Sequence, residues 1–263
     1  AAGLITLETL QATLITEVAE AQFSAEAANY FARLTVAGDS EHYAYRQPLA
    51  NYIDGLVALG GAYWDTMLSA TSFVGVGIQG ITVPLRAGMT VPTNNNFVAG
   101  DLNQLTGLEG DGSSKWINSN INGISLLQDD ASGSVYVMSG RDTGANRYFE
   151  AQNIFSLLGN TTGARGRTHS STLSNLGTGT TVPALAGWSR DNSADFDYLV
   201  FGQSATTVLA STGISTNDIG IFANAAGQNA SAARLAIYHV GPALNLATLE
   251  ALQDTLITEI AAI

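Results

Sequence analysis

The chain has 263 residues, 46% hydrophobic and only 12% charged, about half the charged share usual in soluble domains. Ten Lys and Arg stand against twenty-two Asp and Glu, for a net charge of -12, and Lys115 is the sole lysine; a phosphate-tracking nucleic-acid surface is excluded. The lack of cysteine removes disulfides, thiol nucleophiles and thiolate metal sites together.

No apolar run approaches the roughly 18 residues of a membrane-spanning helix, so no membrane insertion is expected. Ala1 to Leu7 lack the basic start of a signal peptide. Residues 1–70 read as a helical segment. Leu4, Leu7, Leu10, Leu14 and Val18 are spaced 3, 3, 4 and 4, which draws one apolar stripe along a helix. A second helix is predicted from Ala25 to Leu34, with Ser24 as N-cap, and Gly38-Asp39-Ser40 breaks it. A third, with Pro48 in its first turn, runs to Leu59 and stops at Gly60-Gly61. Ala62 to Ala70 is expected to add a short fourth.

From residue 71 to 243 the pattern changes to short β-prone runs. They include Ile81-Thr82-Val83, Met89-Thr90-Val91, Ser134 to Met138, Tyr198 to Gly202, Thr206 to Leu209, Asp218 to Phe222 and Arg234 to Val240. Turn signals separate them: Asp111-Gly112, Ser132-Gly133, Thr143-Gly144, Asn160 and Asp191-Asn192. Many short strands at nearly regular spacing predict a mostly β fold, a β-sandwich or jelly roll. Residues 244–263 return to helix, where Leu246, Leu249, Leu252, Leu256 and Ile260 repeat the 3, 3, 4, 4 spacing.

The two ends repeat each other in sequence as well as in period. Residues 4–20 and 246–262 are identical at twelve of seventeen positions. Identity extends to polar positions such as Thr13/Thr255 and Glu17/Glu259, so shared periodicity alone does not account for it. Either an old duplication kept two similar packing jobs, or the two helices fill equivalent slots in one chain or in an oligomer. Helices this short are unstable alone in water, so something must cover each stripe.

Catalytic patterns are scarce. His42, His169 and His239 lie in three different contexts, none followed by a second His or a carboxylate at i+3 or i+4, the helical metal-pair spacing. His239, inside an apolar strand, reads as a packed residue. Residues 163–171 form the one basic cluster, with Arg165, Arg167 and His169; they suit either a turn of solvated charges or a grip on an acidic sugar. Gly75 to Gly80 spells G-x-G-x-x-G, but β-prone residues follow it where a dinucleotide fold needs a helix. A glycosidase needs two carboxyl groups facing each other, and Glu109 and Glu150 are the only glutamates of the β region. No cofactor is expected. The acidic loops around Asp111, Asp129-Asp130 and Asp191 to Asp197 suit solvated turns or Ca²⁺, without helix-loop-helix calcium spacing. Trp116 and Trp188 complete the candidate glycan contacts, each equally fit for the core.

Two stretches resemble a known family. Thr106 to Ser119, containing Gly107-Leu108-Glu109-Gly110-Asp111-Gly112-Ser113-Ser114, is similar to a segment near the start of concanavalin-like (laminin-G-like) jelly rolls in tailed-phage and prophage structural proteins. Ala233 to Leu244, followed by a leucine-rich helix, resembles their closing strand and terminal helix. The resemblance brackets residues 100–263 and leaves the N-terminal helices uncovered. It implies a concanavalin-like β-sandwich in a non-enzymatic virion component: tail-fibre, tail-associated or decorating the capsid. The implied partners are copies of the chain, other virion proteins and host-surface glycan. A lectin-like module is the alternative function, and a polysaccharide-cleaving enzyme a more distant one.

Overall fold

The computed structural model describes residues 23–140, 146–151, 155–160, 163–179, 181–224 and 226–263. The N-terminal stripe of Leu4, Leu7, Leu10, Leu14 and Val18 lies outside the described residues, as does the Thr143-Gly144 turn.

Helix α1 spans Ala25–Val36 and begins where predicted, the Ser24 hydroxyl accepting the Ala27 N–H at 3.2 Å. Helix α2, Arg46–Ala58, places Pro48 in its first turn, where the missing N–H leaves no intrahelical bond unmade. Helix α3 is shorter than expected, Gly61–Thr66. The chain then enters a strand at Ser69 instead of continuing the helix to Ala70.

In chain order the strands are β1 (Ser69–Ser72), β2 (Thr93–Asn95), β3 (Leu102–Asn103), β4 (Gly107–Glu109), β5 (Trp116–Asn122), β6 (Ala131–Ser139), β7 (Arg147–Ala151), β8 (Phe155–Asn160), β9 (Gly163–Arg167), β10 (Ser174–Asn175), β11 (Ala184–Arg190), β12 (Asp195–Val200), β13 (Gln203–Val208), β14 (Asp218–Ile221) and β15 (Arg234–Gly241). Helix α4, Leu246–Ala261, closes the chain. The larger sheet runs β13-β12-β11-β6-β15-β4-β3, and the smaller β10-β9-β8-β7-β14-β5-β2. Strand β1 lies beside the second half of β15, next to the place where β4 pairs with its first half. Every pairing between the named strands is antiparallel. The expected concanavalin-like sandwich is the fold.

Where sequence and structure differ, burial explains most of it. Strands β6 and β11 are buried along nearly their whole length, as is β15. One face of the larger sheet meets the smaller sheet, and the other meets the helices, for Tyr52 of α2 and Tyr63 of α3 both reach His239 of β15. Central strands covered on both faces do not alternate in hydropathy, so small residues pass for turn signals. Ser132-Gly133, expected as a turn, lies inside β6. A side chain at Gly133 would run into the rings of Phe149 and Phe155 on the facing sheet. Ile81-Thr82-Val83 is mostly a 3-10 turn, and Met89 to Val91 joins no strand. The G-x-G-x-x-G run wraps a carboxylate: Asp39, 2% exposed, accepts the Gly77 N–H at 2.9 Å, and a side chain at Gly80 would collide with it. Burial works to raise the Asp39 pKa, but His42 at 3.8 Å and the N–H groups of Gly77 and Glu41 outweigh it, and the pKa falls.

Candidate functional site

The most elaborate recognition surface among the described residues is the groove that holds α4. Asn245 starts the helix by accepting the Thr248 N–H at 3.0 Å. Leu246, Leu249, Gln253, Leu256 and Ile260 are buried, at spacings of 3, 4, 3 and 4 that keep one seam turned inward. The predicted stripe is thus nearly right, with one exchange. Gln253 is completely buried, while Leu252 lies half-buried against Gly55 of α2. At Gly55 a Cβ would come within 2.5 Å of Leu252, so this mid-helix glycine permits the close approach of α4 to α2.

Polar contacts fix the register. Gln253 donates its side-chain N–H to the Tyr52 hydroxyl at 3.4 Å, and Tyr52 is 2.6 Å from His239 Nε2. The Tyr63 hydroxyl is 3.3 Å from His239 Nδ1. A neutral imidazole, accepting at one nitrogen and donating at the other, satisfies both tyrosines, and burial pushes His239 down to about 3. At the margins, Asn51 donates to Glu259 at 2.9 Å and the Leu185 N–H donates to Glu250 at 3.1 Å. Tyr136 donates to Asp254. Burial raises the Glu250 pKa, with the nearby Asp254 adding to it and the Leu185 N–H opposing it.

Something was expected to cover the stripe of Leu246, Leu249, Leu252, Leu256 and Ile260, and α2, β11 and β12 of the same chain lie against α4. The sequence reading left Gln253 off the stripe and passed over Tyr52 and Gly55. The available signal was the polar Leu-Gln pair repeated at Leu10-Gln11 and Leu252-Gln253.

The candidate glycan residues do not assemble. Trp188 is 0% exposed, edge-on to Phe155 at 4.3 Å between ring centroids. His169 is also buried, with burial pushing its pKa down to about 4. Arg167 extends from β9 into the interior, donating to Ser156 at 3.1 Å and to the Ser171 carbonyl at 3.0 Å. The basic segment is therefore a strand that carries Arg165 and Arg167 on one face, Arg165 exposed and Arg167 buried beside Ser156, and neither a solvated turn nor a single surface grip. Trp116 is half-buried against Gly227.

The two glutamates considered as an acid pair sit on different sheets. Glu109 of β4 is paired with Arg234. Glu150 of β7 is 2% exposed, paired with Arg147 and lying 3.7 Å from Arg167. Among the described residues no group of three His, Asp or Glu is placed to hold a metal ion. The acidic loops use their carboxylates on themselves and their neighbours. Asp111 accepts the N–H groups of Ser113, Ser114 and Lys115, Asp129 accepts the Ser211 hydroxyl, and Asp130 accepts the Ala243 N–H. Two open clefts flank the linker into α4. One, of about 300 Å³, is lined by Asp197, Tyr198, Ser204 and Asn245; the other, of about 570 Å³, by Tyr63, Asp130, Leu244 and Asn245.

No protein-family model matches the sequence, and no curated protein matches it. Among solved structures the chain is similar to the crystal structure of HCR/D-Sa-GBL1/C, at 10% identity and a TM-score of 0.51, over 73% of this chain and 52% of that one. It is similar to the Trypanosoma rangeli sialidase in complex with sialic acid, at 12% identity and a TM-score of 0.48, over 73% of this chain and 34% of that one. A third likeness is to domain 4 of AbnA, a GH43 extracellular arabinanase from Geobacillus stearothermophilus, in complex with arabinotriose. There the identity is 13% and the TM-score 0.43, over 71% of this chain and 98% of that one. The chain thus spans about half of the first structure and a third of the sialidase. At this identity the first likeness bears on the fold alone.

Proposed function

We propose that this chain is a non-enzymatic structural module of a virion, built into a tail, fibre or capsid surface through its terminal helices. One observation carries the reading. The two segments that resemble tailed-phage structural proteins lie more than a hundred residues apart in sequence, yet they pair as β4 and β15, with Leu108 opposite Leu235 and Glu109 opposite Arg234. The glycine-rich part of the first segment has a structural job there. Asp111 caps its own loop, and a side chain at Gly110 would strike the Ser231 carbonyl. These residues specify a way of closing a sandwich, and α4 follows directly. The test is composition of the particle. Peptides from this chain should appear in gradient-purified virions at constant stoichiometry; their confinement to the unassembled fraction would refute the placement.

A second reading, a module that binds host-surface glycan, is supported by the cleft at Asp197. An open cleft lined by Asp197, Ser204, Thr206 and Asn245 offers the hydrogen-bonding rim that a sugar requires. Saturable binding on a glycan array, lost in Asp197→Ala, is the expected result; a blank array would remove this reading.

A further inference from the structure

The chain carries one groove and two segments whose sequences fit it. Nine positions of α4 are buried or half-buried: 246, 249, 250, 252, 253, 256, 257, 259 and 260. In residues 4–20 eight of these nine are identical, and the ninth is Val18 in place of Ile260. Of the eight exposed positions, only four are identical. Identity therefore concentrates where α4 meets the groove. Leu10 matches the leucine that lies on Gly55, and Gln11 the glutamine that reaches Tyr52. Glu8 and Glu17 match the carboxylates that accept the Leu185 N–H and the Asn51 amide.

The differences favour α4 in an isolated chain. Ala12 has no carboxylate for Tyr136, Gly3 stands where Asn245 caps the helix, and Val18 is smaller than Ile260. Each of these is a small loss, so the two occupants are close in fit. The linker from Pro242 to Asn245 is bordered by open clefts, which leaves room for α4 to depart.

We propose that the α4 groove takes a second occupant: residues 4–20 of another copy of this chain, in exchange for the resident α4. The contact is head-to-tail, one copy's N-terminal segment in the next copy's groove, a geometry that builds rings or filaments. The inference rests on the reading of the chain as an assembly module. It is tested on the purified chain, so its outcome and that of particle incorporation are read separately.

The absence of native cysteine makes disulfide trapping clean. Full-length Gly55→Cys is mixed with full-length Leu10→Cys, or with Thr13→Cys, whose counterpart Thr255 is exposed. A single chain carrying both Gly55→Cys and Leu252→Cys shows, by its intrachain bridge, that the altered groove still folds. Covalent heterodimers with Leu10→Cys should form at least about tenfold faster than with Thr13→Cys, because docking raises the effective thiol concentration toward millimolar. Adding Leu14→Asp to the Leu10→Cys chain should abolish that advantage. Equal rates for the two donors would overturn the proposal. So would a Gly55–Leu10 bridge that forms only within one chain when both cysteines are on it.

Discussion

Glu150 sits in the smaller sheet with two arginine neighbours, Arg147 and Arg167, and almost no contact with water. In sequence it is a lone acid three residues after Arg147, and Arg167 joins it only once β7 and β9 flank β8 in one sheet. Removing its charge leaves buried guanidinium groups short of an anion. Glu150→Gln is expected to cost about 3–5 kcal/mol in urea unfolding, whereas Glu109→Gln, whose side chain is half exposed, should cost less than about 1 kcal/mol. The histidines set the acid limit. Burial pushes His169 and His239 down to about 4 and about 3, against about 6.5 in an unfolded chain. Below about pH 6.5 the unfolded state takes up protons that the native state refuses. Stability is then lost on acidification, by up to about 1.4 kcal/mol per pH unit for each histidine, until the native values are reached. Urea midpoints between pH 7 and about 4.5 should show this decline, and His239→Gln should make it shallower. A flat profile would contradict the assigned burial of neutral rings.

Among the elements, α4 was the most legible, while β6 was legible only from Ser134 onward. Leucine spacing places the terminal helix within two residues of its observed start, because a one-sided apolar helix has a period visible in sequence. The same spacing chose Leu252 over Gln253 for the seam. Only the partner surface, with Gly55 and the Tyr52 hydroxyl, decides that a glutamine belongs there. Leu249→Ala is therefore expected to destabilise the fold by about 2–5 kcal/mol, while Thr255→Ala, on the exposed side of the same helix, should change it by less than about 0.5 kcal/mol; thermal melts of the two variants compare them directly. The start of β6 escaped because its Ser132-Gly133 step reads as punctuation, yet the glycine is required by the rings packed on it. The 163–167 strand escaped for a related reason. Its arginines suggest solvent, while the facing Ser156 and Glu150 supply the partners that let Arg167 turn inward.

On the scale of the whole molecule, three layers account for the composition. Helices, the larger sheet and the smaller sheet stack so that β6, β11 and β15 see little water on either face. A chain with so much covered surface has few places for charge, consistent with 12% charged residues. Assembly belongs to this scale too. Light scattering over a concentration series should show self-association of the full chain, and deleting residues 1–22 should abolish it without lowering the melting temperature. Self-association unchanged by that deletion would point to another surface. What the sequence by itself determined was the class of the fold, helices before and after a sandwich, the repeat joining residues 4–20 to 246–262, and the lack of thiol groups. Those follow from local period, composition and self-comparison, none of which needs a third dimension. Only the tertiary structure decided which polar residues are buried: Trp188, His169 and Arg167 left the candidate surface, and Gln253 entered the groove. Burial depends on what faces a side chain across the core, and those partners come from distant parts of the chain.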